Sequence, residues 1–169
     1  FRAANMDPDG PEKSIWGAEQ LAWFKDTVEA SDATFKILIS PTPVVGPDND
    51  DKYDSHANPA WTNEGDDLRQ FIAEQGNMIV ICGDRHWQYV SVDDETGVRE
   101  YGTGAASDEH AGAWSSNDDI RPEHRYLNII GGFLSVTVDR VDGVPTLELR
   151  HHHVDGEVLF ENILTVDTI

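Results

Sequence analysis

Two short apolar runs constrain this chain more than anything else in it: Phe35-Lys36-Ile37-Leu38-Ile39-Ser40 and Asn77-Met78-Ile79-Val80-Ile81-Cys82. Both are nearly continuous in apolar residues, and each is stopped by a breaker, Pro41-Thr42-Pro43 in the first case and Gly83 in the second. That pattern predicts strands buried on both faces, the kind found inside layered α/β sheets. A helical pattern precedes each. Leu21, Phe24 and Val28 recur at helical spacing, with Glu19 and Asp26 outward and Ala30-Ser31 closing an amphipathic helix of about four turns. Its aromatics Trp16, Trp23 and Phe24 read as core. Glu64 to Gln75, with Leu68, Phe71 and Ile72 on one side, predicts a second helix stopped by Gly76. Helix, strand, long loop, helix, strand is the alternation of an α/β domain with a mixed sheet.

What lies between and after these elements is of two kinds. Residues Val44 to Asn63 form a loop of about 20 residues, longer than ordinary connections and placed beyond the end of a buried strand, where sites in α/β sheets collect. It carries Asp54-Ser55-His56-Ala57-Asn58, either a substrate or metal contact or a hydrogen-bonded loop cluster. After Trp87 the chain turns to hairpins. Tyr89 to Val92 and Val98 to Tyr101 flank the turn Asp93-Asp94-Glu95-Thr96-Gly97. Gly102 to Arg125 is a second long loop, with Asp108-Glu109-His110, Trp114 and Pro122-Glu123-His124. Gly131 to Ile169 alternates apolar and polar residues between turns at Val141-Asp142-Gly143 and Asp155-Gly156, which predicts an antiparallel meander with one face wet. His151-His152-His153 sits on one of its strands. Alternation throws the middle imidazole to the opposite face, so the three cannot converge on one ion and are read as surface.

The 169 residues are the size of a single domain or of part of one, with Phe1 to Lys13 linker-like. The first residue is not Met and no leader-like segment follows it, so the chain reads as a processed or excised piece. Lys and Arg number 12 against 32 Asp and Glu, a formal charge of -20 that repels nucleic acid and anionic membranes. Any anionic substrate needs a local positive centre, and a bound cation is the obvious one. No stretch approaches the roughly 20 apolar residues of a membrane span. Cys82 is the only cysteine, which excludes an internal disulfide and a cysteine-rich zinc site and leaves it a small buried hydrophobe.

The second apolar run delivers Gly83-Asp84-Arg85-His86-Trp87. Gly83 permits a sharp turn, and Asp84 and His86, two positions apart in an extended segment, would lie on one side. A carboxylate oxygen with an imidazole nitrogen is a ligand set that suits zinc, iron or manganese. Arg85 either points elsewhere or pairs with a phosphoryl oxygen. Taken alone, the tetrapeptide reads as readily as a charged strand end in solvent.

Its neighbours are more specific. Trp16-Gly17-Ala18-Glu19-Gln20-Leu21-Ala22-Trp23-Phe24, the strand ending Ser40-Pro41, the helix start Glu64-Gly65-Asp66-Asp67-Leu68-Arg69 and Cys82-Gly83-Asp84-Arg85-His86-Trp87 follow one another in an order that resembles PhoD-like alkaline phosphatases. Asp108-Glu109-His110-Ala111-Gly112 and Gly131-Gly132-Phe133 resemble the carboxyl-terminal part of that family's catalytic domain. The resemblance implies half of a four-layer α/β/β/α metallophosphoesterase sandwich. It implies that Asp84 and His86 ligate divalent or trivalent metal ions (iron, zinc, manganese or calcium) and that Arg85, His56 and His110 are candidates for substrate contact or leaving-group protonation. The implied reaction is metal-assisted hydrolysis of a phosphate ester, in a protein of the periplasm or one that is secreted. The family's earlier metal motifs have no match here, and Ser40 stands where related phosphoesterases often carry a histidine. Two ligands do not make a stable centre. The chain is therefore expected to be inactive alone and to need a missing amino-terminal half, or to form a homo-oligomer through the face left bare. The alternative is a non-catalytic module that kept the scaffold.

Overall fold

The computed structural model describes residues 2–49, 51–114 and 120–169. The first helix, α1 (Ala18–Glu29), is a turn shorter than its sequence pattern suggests, and the second, α2 (Thr62–Gln75), starts two residues early. Gly76 ends α2 at φ 67°, a left-handed cap that glycine adopts without steric cost.

Five strands form a mixed sheet: β1 (Lys36–Ser40), β2 (Met78–Cys82), β3 (Gln88–Val92), β4 (Arg99–Thr103) and β5 (His124–Asn128). Their order is β1-β2-β4-β3-β5, with β1, β2 and β4 parallel and β3 antiparallel to both its neighbours. The expected hairpin is present as β3 and β4, but β4 inserts between β3 and β2. β5 begins at the end of the stretch read as loop and runs three residues past it; residues 115–119 of that stretch lie outside the described residues. The meander is as expected: β6 (Gly132–Val141), β7 (Val144–His153) and β8 (Val158–Leu164) form a separate antiparallel sheet.

These elements stack in three layers. Phe24 of α1 and Leu68, Phe71 and Ile72 of α2 pack on Met78 and Val80 of β2, covering one face of the mixed sheet. On the other face Ile79, Val90 and Tyr101 meet Leu147, Leu149 and Leu164 of the meander. Six such side chains taken out of water contribute on the order of 10 kcal/mol, which makes this seam the main reason the two sheets stay together. Among the described residues no helix covers the outer face of the meander, so the fourth layer of the implied sandwich is not part of what is seen.

Three sequence expectations need correction. β2 is buried on both faces as predicted, but β1 is an edge strand and Ile39 is 78% exposed. Trp23 is 64% exposed and is not core, whereas Phe24 is. His151 is fully buried, with Nε2 2.9 Å from the Gly102 carbonyl, because alternation along β7 points it between the sheets beside Tyr101 and Tyr126. His152 and His153 stay partly exposed.

Candidate functional site

The corner begins where β2 stops. Gly83 N–H donates to the Ser40 carbonyl at 3.3 Å, tying it to the end of β1. Arg85 N–H donates to the Gly83 carbonyl at 2.8 Å, so Gly83 to Arg85 close a three-residue turn with Asp84 at its centre and φ of 67°. This is the strained hand of such a turn, and aspartate is among the few side chains that tolerate it. The segment is therefore not extended, as expected from sequence, but sharply bent. The outcome for the side chains is an exposed Asp84, a buried Arg85 and an exposed His86.

Arg85 organises the interior of the corner. Its Nε donates to Asp48 Oδ1 at 2.8 Å, its Nη2 to Asp48 Oδ2 at 2.5 Å and to Asp54 Oδ1 at 2.7 Å, and its Nη1 to Asp84. Burial alone would lower the guanidinium's pKa, but Asp48 and Asp54 outweigh it and raise it above the ordinary value. One fixed cation thus holds three carboxylates, two of them from the long loop after β1. Asp48 is itself fixed by Ser55 Oγ at 3.3 Å and Asn58 Nδ2 at 3.1 Å.

The same loop is anchored a second time at its start. Glu100 of β4, fully buried, accepts the backbone N–H groups of Val44 (2.6 Å), Val45 (3.0 Å) and Gly46 (2.9 Å) and the Tyr89 hydroxyl (2.7 Å). Burial raises its pKa, and these donors only partly offset that. The other end of the loop is fixed by His56. This residue is 1% exposed and its Nε2 lies 3.2 Å from Glu64 Oε2 at the start of α2. Gly65 allows the close approach, since a Cβ there would sit 2.4 Å from the His56 carbonyl oxygen. Glu64 also accepts from Ser14 Oγ at 2.5 Å and Ile15 N–H at 2.6 Å. Burial pushes its pKa up, yet the bonds from His56, Ser14 and Ile15 win and hold it at about 2.

The structure thus brings together Asp84, Arg85 and His86 and separates His56, which is interior. His110 ends a short 3-10 helix (Asp108–His110), is exposed, and has its Nδ1 2.9 Å from Ser107 Oγ. Its loop reaches the corner through Gly112 N–H, which donates to the His86 carbonyl at 3.0 Å. Asp48 and Glu100 were not singled out from sequence. The available signal for Glu100 was a carboxylate on the strand Val98 to Tyr101, next to residues that pack inward. Asp48 had only its place in the loop, since its partner lies 37 residues away.

As a metal corner, the residues have suitable donor chemistry and insufficient number. Asp84 and His86 offer an exposed carboxylate and an exposed imidazole, but among the described residues no group of three His, Cys, Asp or Glu side chains is placed to hold an ion. A cleft of about 790 Å³ lies along the same long loop, lined by Asp48, Asp66, Arg69, Asp93, Arg121 and Glu123 among others. Neither Asp84 nor His86 lines it.

The chain is thus a layered α/β scaffold with a turned Asp-x-His corner at the carboxyl end of an interior parallel strand. The model of the family described as PhoD-like phosphatase matches residues 2–127, and the chain belongs to that family. Among solved structures it is similar to one described as the structure of PhoD, at 16% identity and a TM-score of 0.62, over 92% of this chain. The match spans only 33% of that protein's chain. No curated protein matches. Among the described residues, no helix is long and apolar enough to cross a membrane.

Proposed function

We propose that this chain is the carboxyl-terminal part of the catalytic domain of a metal-dependent phosphoric ester hydrolase, an alkaline phosphatase or phosphodiesterase that is inactive in this piece alone. The observation that carries the reading is the bent Gly83-Asp84-Arg85-His86 corner, which lies inside the family match and exposes Asp84 and His86 while burying Arg85. In this reading Asp84 and His86 supply two ligands to a metal centre. The cations, iron, zinc, manganese or calcium, would neutralise phosphoryl oxygens and lower the pKa of attacking water. Arg85 has its fork engaged by Asp48, Asp54 and Asp84, which suits holding Asp84 in place and leaves a direct contact with substrate dependent on releasing one of them. His110, exposed and tied to the corner through its loop, is the better placed of the two histidines for protonating a leaving group, and His56 acts from the interior by fixing the loop. The remaining ligands and the outer helical layer of a four-layer sandwich belong to a missing amino-terminal half, and export to the periplasm or beyond follows from the family.

The test is direct. Purified chain should hydrolyse para-nitrophenyl phosphate no faster than buffer with any of these metals added. Strong turnover that disappears in Asp84→Ala would overturn the expectation that it is inactive alone. The second reading, a non-catalytic module, is favoured by the saturation of Arg85. It predicts that Asp84→Ala and His86→Ala leave metal content unchanged after the chain is paired with its missing half.

A further inference from the structure

Behind the corner the interior is short of acceptors. Trp87, one residue past His86, is 1% exposed, Trp114 3% and His124 8%. Their rings form a run: the centroids of Trp87 and Trp114 are 5.4 Å apart and those of Trp114 and His124 5.3 Å. Among the described residues, Nε1 of each indole and Nε2 of the imidazole are buried without a hydrogen-bond partner. An indole nitrogen can only donate. The imidazole is fixed in the same sense. Its Nδ1 accepts the Arg121 N–H at 3.2 Å, and burial, the largest effect, lowers its pKa to about 4, so the neutral ring carries its proton on Nε2. Ser91, opposite His124 in the strand register and fully buried, adds a hydroxyl that also lacks a partner. A buried donor without an acceptor is costly, and three in adjoining rings call for one.

We propose that Trp87 Nε1, Trp114 Nε1 and His124 Nε2 together bind one small monovalent anion, a halide such as chloride, as a buried ligand behind the Asp84 corner. A water molecule has two lone pairs, so it leaves one of three obligate donors unmatched and brings two protons that themselves need acceptors. A monatomic anion accepts from three directions or more and brings no proton, and bonds to a charged acceptor are the stronger kind. The chain's formal charge of -20 repels anions at long range, but salt screens that repulsion. Close by, the Arg121 guanidinium lies 5.6 Å from the Trp114 ring centre and adds positive charge. The ion would join the two segments that frame the corner. Trp87 continues the chain from His86, and Trp114 lies two residues past Gly112, whose N–H holds the His86 carbonyl at 3.0 Å. Halide binding thus steadies the corner without touching Asp84 or His86.

The probe is sodium chloride, titrated into the nitrogen-15-labelled 169-residue chain with ionic strength held constant by sodium gluconate, a bulky organic anion. Two of the five indole N–H signals, those of Trp87 and Trp114, should shift saturably with one common midpoint, and bromide should reproduce the shift. Trp114→Phe, which removes the donor and keeps an apolar ring, should raise the Trp87 midpoint about tenfold or more. Trp23→Phe, at an exposed position of α1, should leave both midpoints unchanged. Where a phenylalanine variant does not fold, the titration of the native chain decides, since only a shared, saturable midpoint supports a single ion. Shifts that do not saturate, two different midpoints, or a Trp87 midpoint unchanged in Trp114→Phe overturn the proposal. So do signals unmoved by chloride, the result expected if water joins the donors to Glu123 Oε2, which also lacks a partner. No metal or ester enters the measurement, so its failure is separate from that of the phosphatase reading.

Discussion

Glu64 and Glu100 are both buried glutamates that collect hydrogen bonds from a distant loop, yet their environments drive them in opposite directions. Glu64, 6% exposed, is held at about 2 by His56, Ser14 and the Ile15 N–H against the effect of burial. Glu100, 0% exposed, accepts four donors and is still raised, burial being the larger effect. The number of hydrogen bonds therefore does not decide the charge state. What differs is that Glu64 sits near the edge of the core with an imidazole partner, while Glu100 sees only neutral dipoles deep between layers. Each carboxylate serves the same purpose, fixing one end of the loop that brings Asp48 and Asp54 to Arg85.

The largest effect should come from Glu100→Ala. It strands three backbone N–H groups and the Tyr89 hydroxyl, and should cost about 4 kcal/mol in urea denaturation. Glu100→Gln, which keeps an acceptor without the charge, should cost only about 1–2 kcal/mol. If the two are equally damaging, the contrast with Glu64 is broken.

Next is Glu64→Gln. Because its folded pKa is about 2 against an ordinary 4.5, Glu64 contributes stability that is complete above pH 4.5 and lost as pH falls towards 2. The shift corresponds to about 3 kcal/mol, and the variant should lose most of that at neutral pH and flatten the acid limb of a stability profile between 4.5 and 2. A limb of unchanged steepness would count against the assignment.

The histidines extend the comparison to bases. His151 is lowered to about 4, chiefly by burial, so its neutral form stabilises the fold above 6.5 and stability falls as pH drops from 6.5 to 4. After allowing for relaxation around the charge this amounts to about 2 kcal/mol, and His151→Asn should remove that segment of the profile while leaving the part below pH 4 in place. The smallest effect is expected of Ser14→Ala, about 1 kcal/mol, since Glu64 keeps its bonds to Ile15 and His56. A loss as large as that of Glu64→Gln would mean that Ser14, and not the imidazole, holds the carboxylate.

Much of the scaffold was legible in the sequence because it is written locally. β2 announced itself by a run of apolar residues and Gly83, α2 by its periodicity and Gly76, and the meander by alternation and two turns. β5 was not legible: His124 to Asn128 lies among Pro, Glu and Arg, and becomes a strand only because β3 offers it an edge. β1 looked like a central strand because apolar content does not reveal whether a neighbour is present. In the site, the Asp84, Arg85 and His86 corner could be seen in one line of text, whereas Asp48 and Glu100 could not. Their roles depend on partners 37 and up to 56 residues away, brought close only by the fold. His151 misled because its neighbours in sequence are partly exposed while it faces the seam.

The left-handed turn at Asp84 limits which residues the position can spell. With φ at 67°, glycine fits the backbone freely, asparagine and aspartate are the side chains that adopt it most readily, and other residues meet a cost of about 1–2 kcal/mol. Of those three, aspartate alone brings a negative oxygen. The backbone thus narrows the alphabet to three letters before any chemistry is asked for, and the chemistry then takes one. Glutamate, the usual conservative exchange, is disfavoured there by conformation and not by charge. In a library of position 84 variants, the folded members should be dominated by those three residues, with aspartate singled out only when function is also selected.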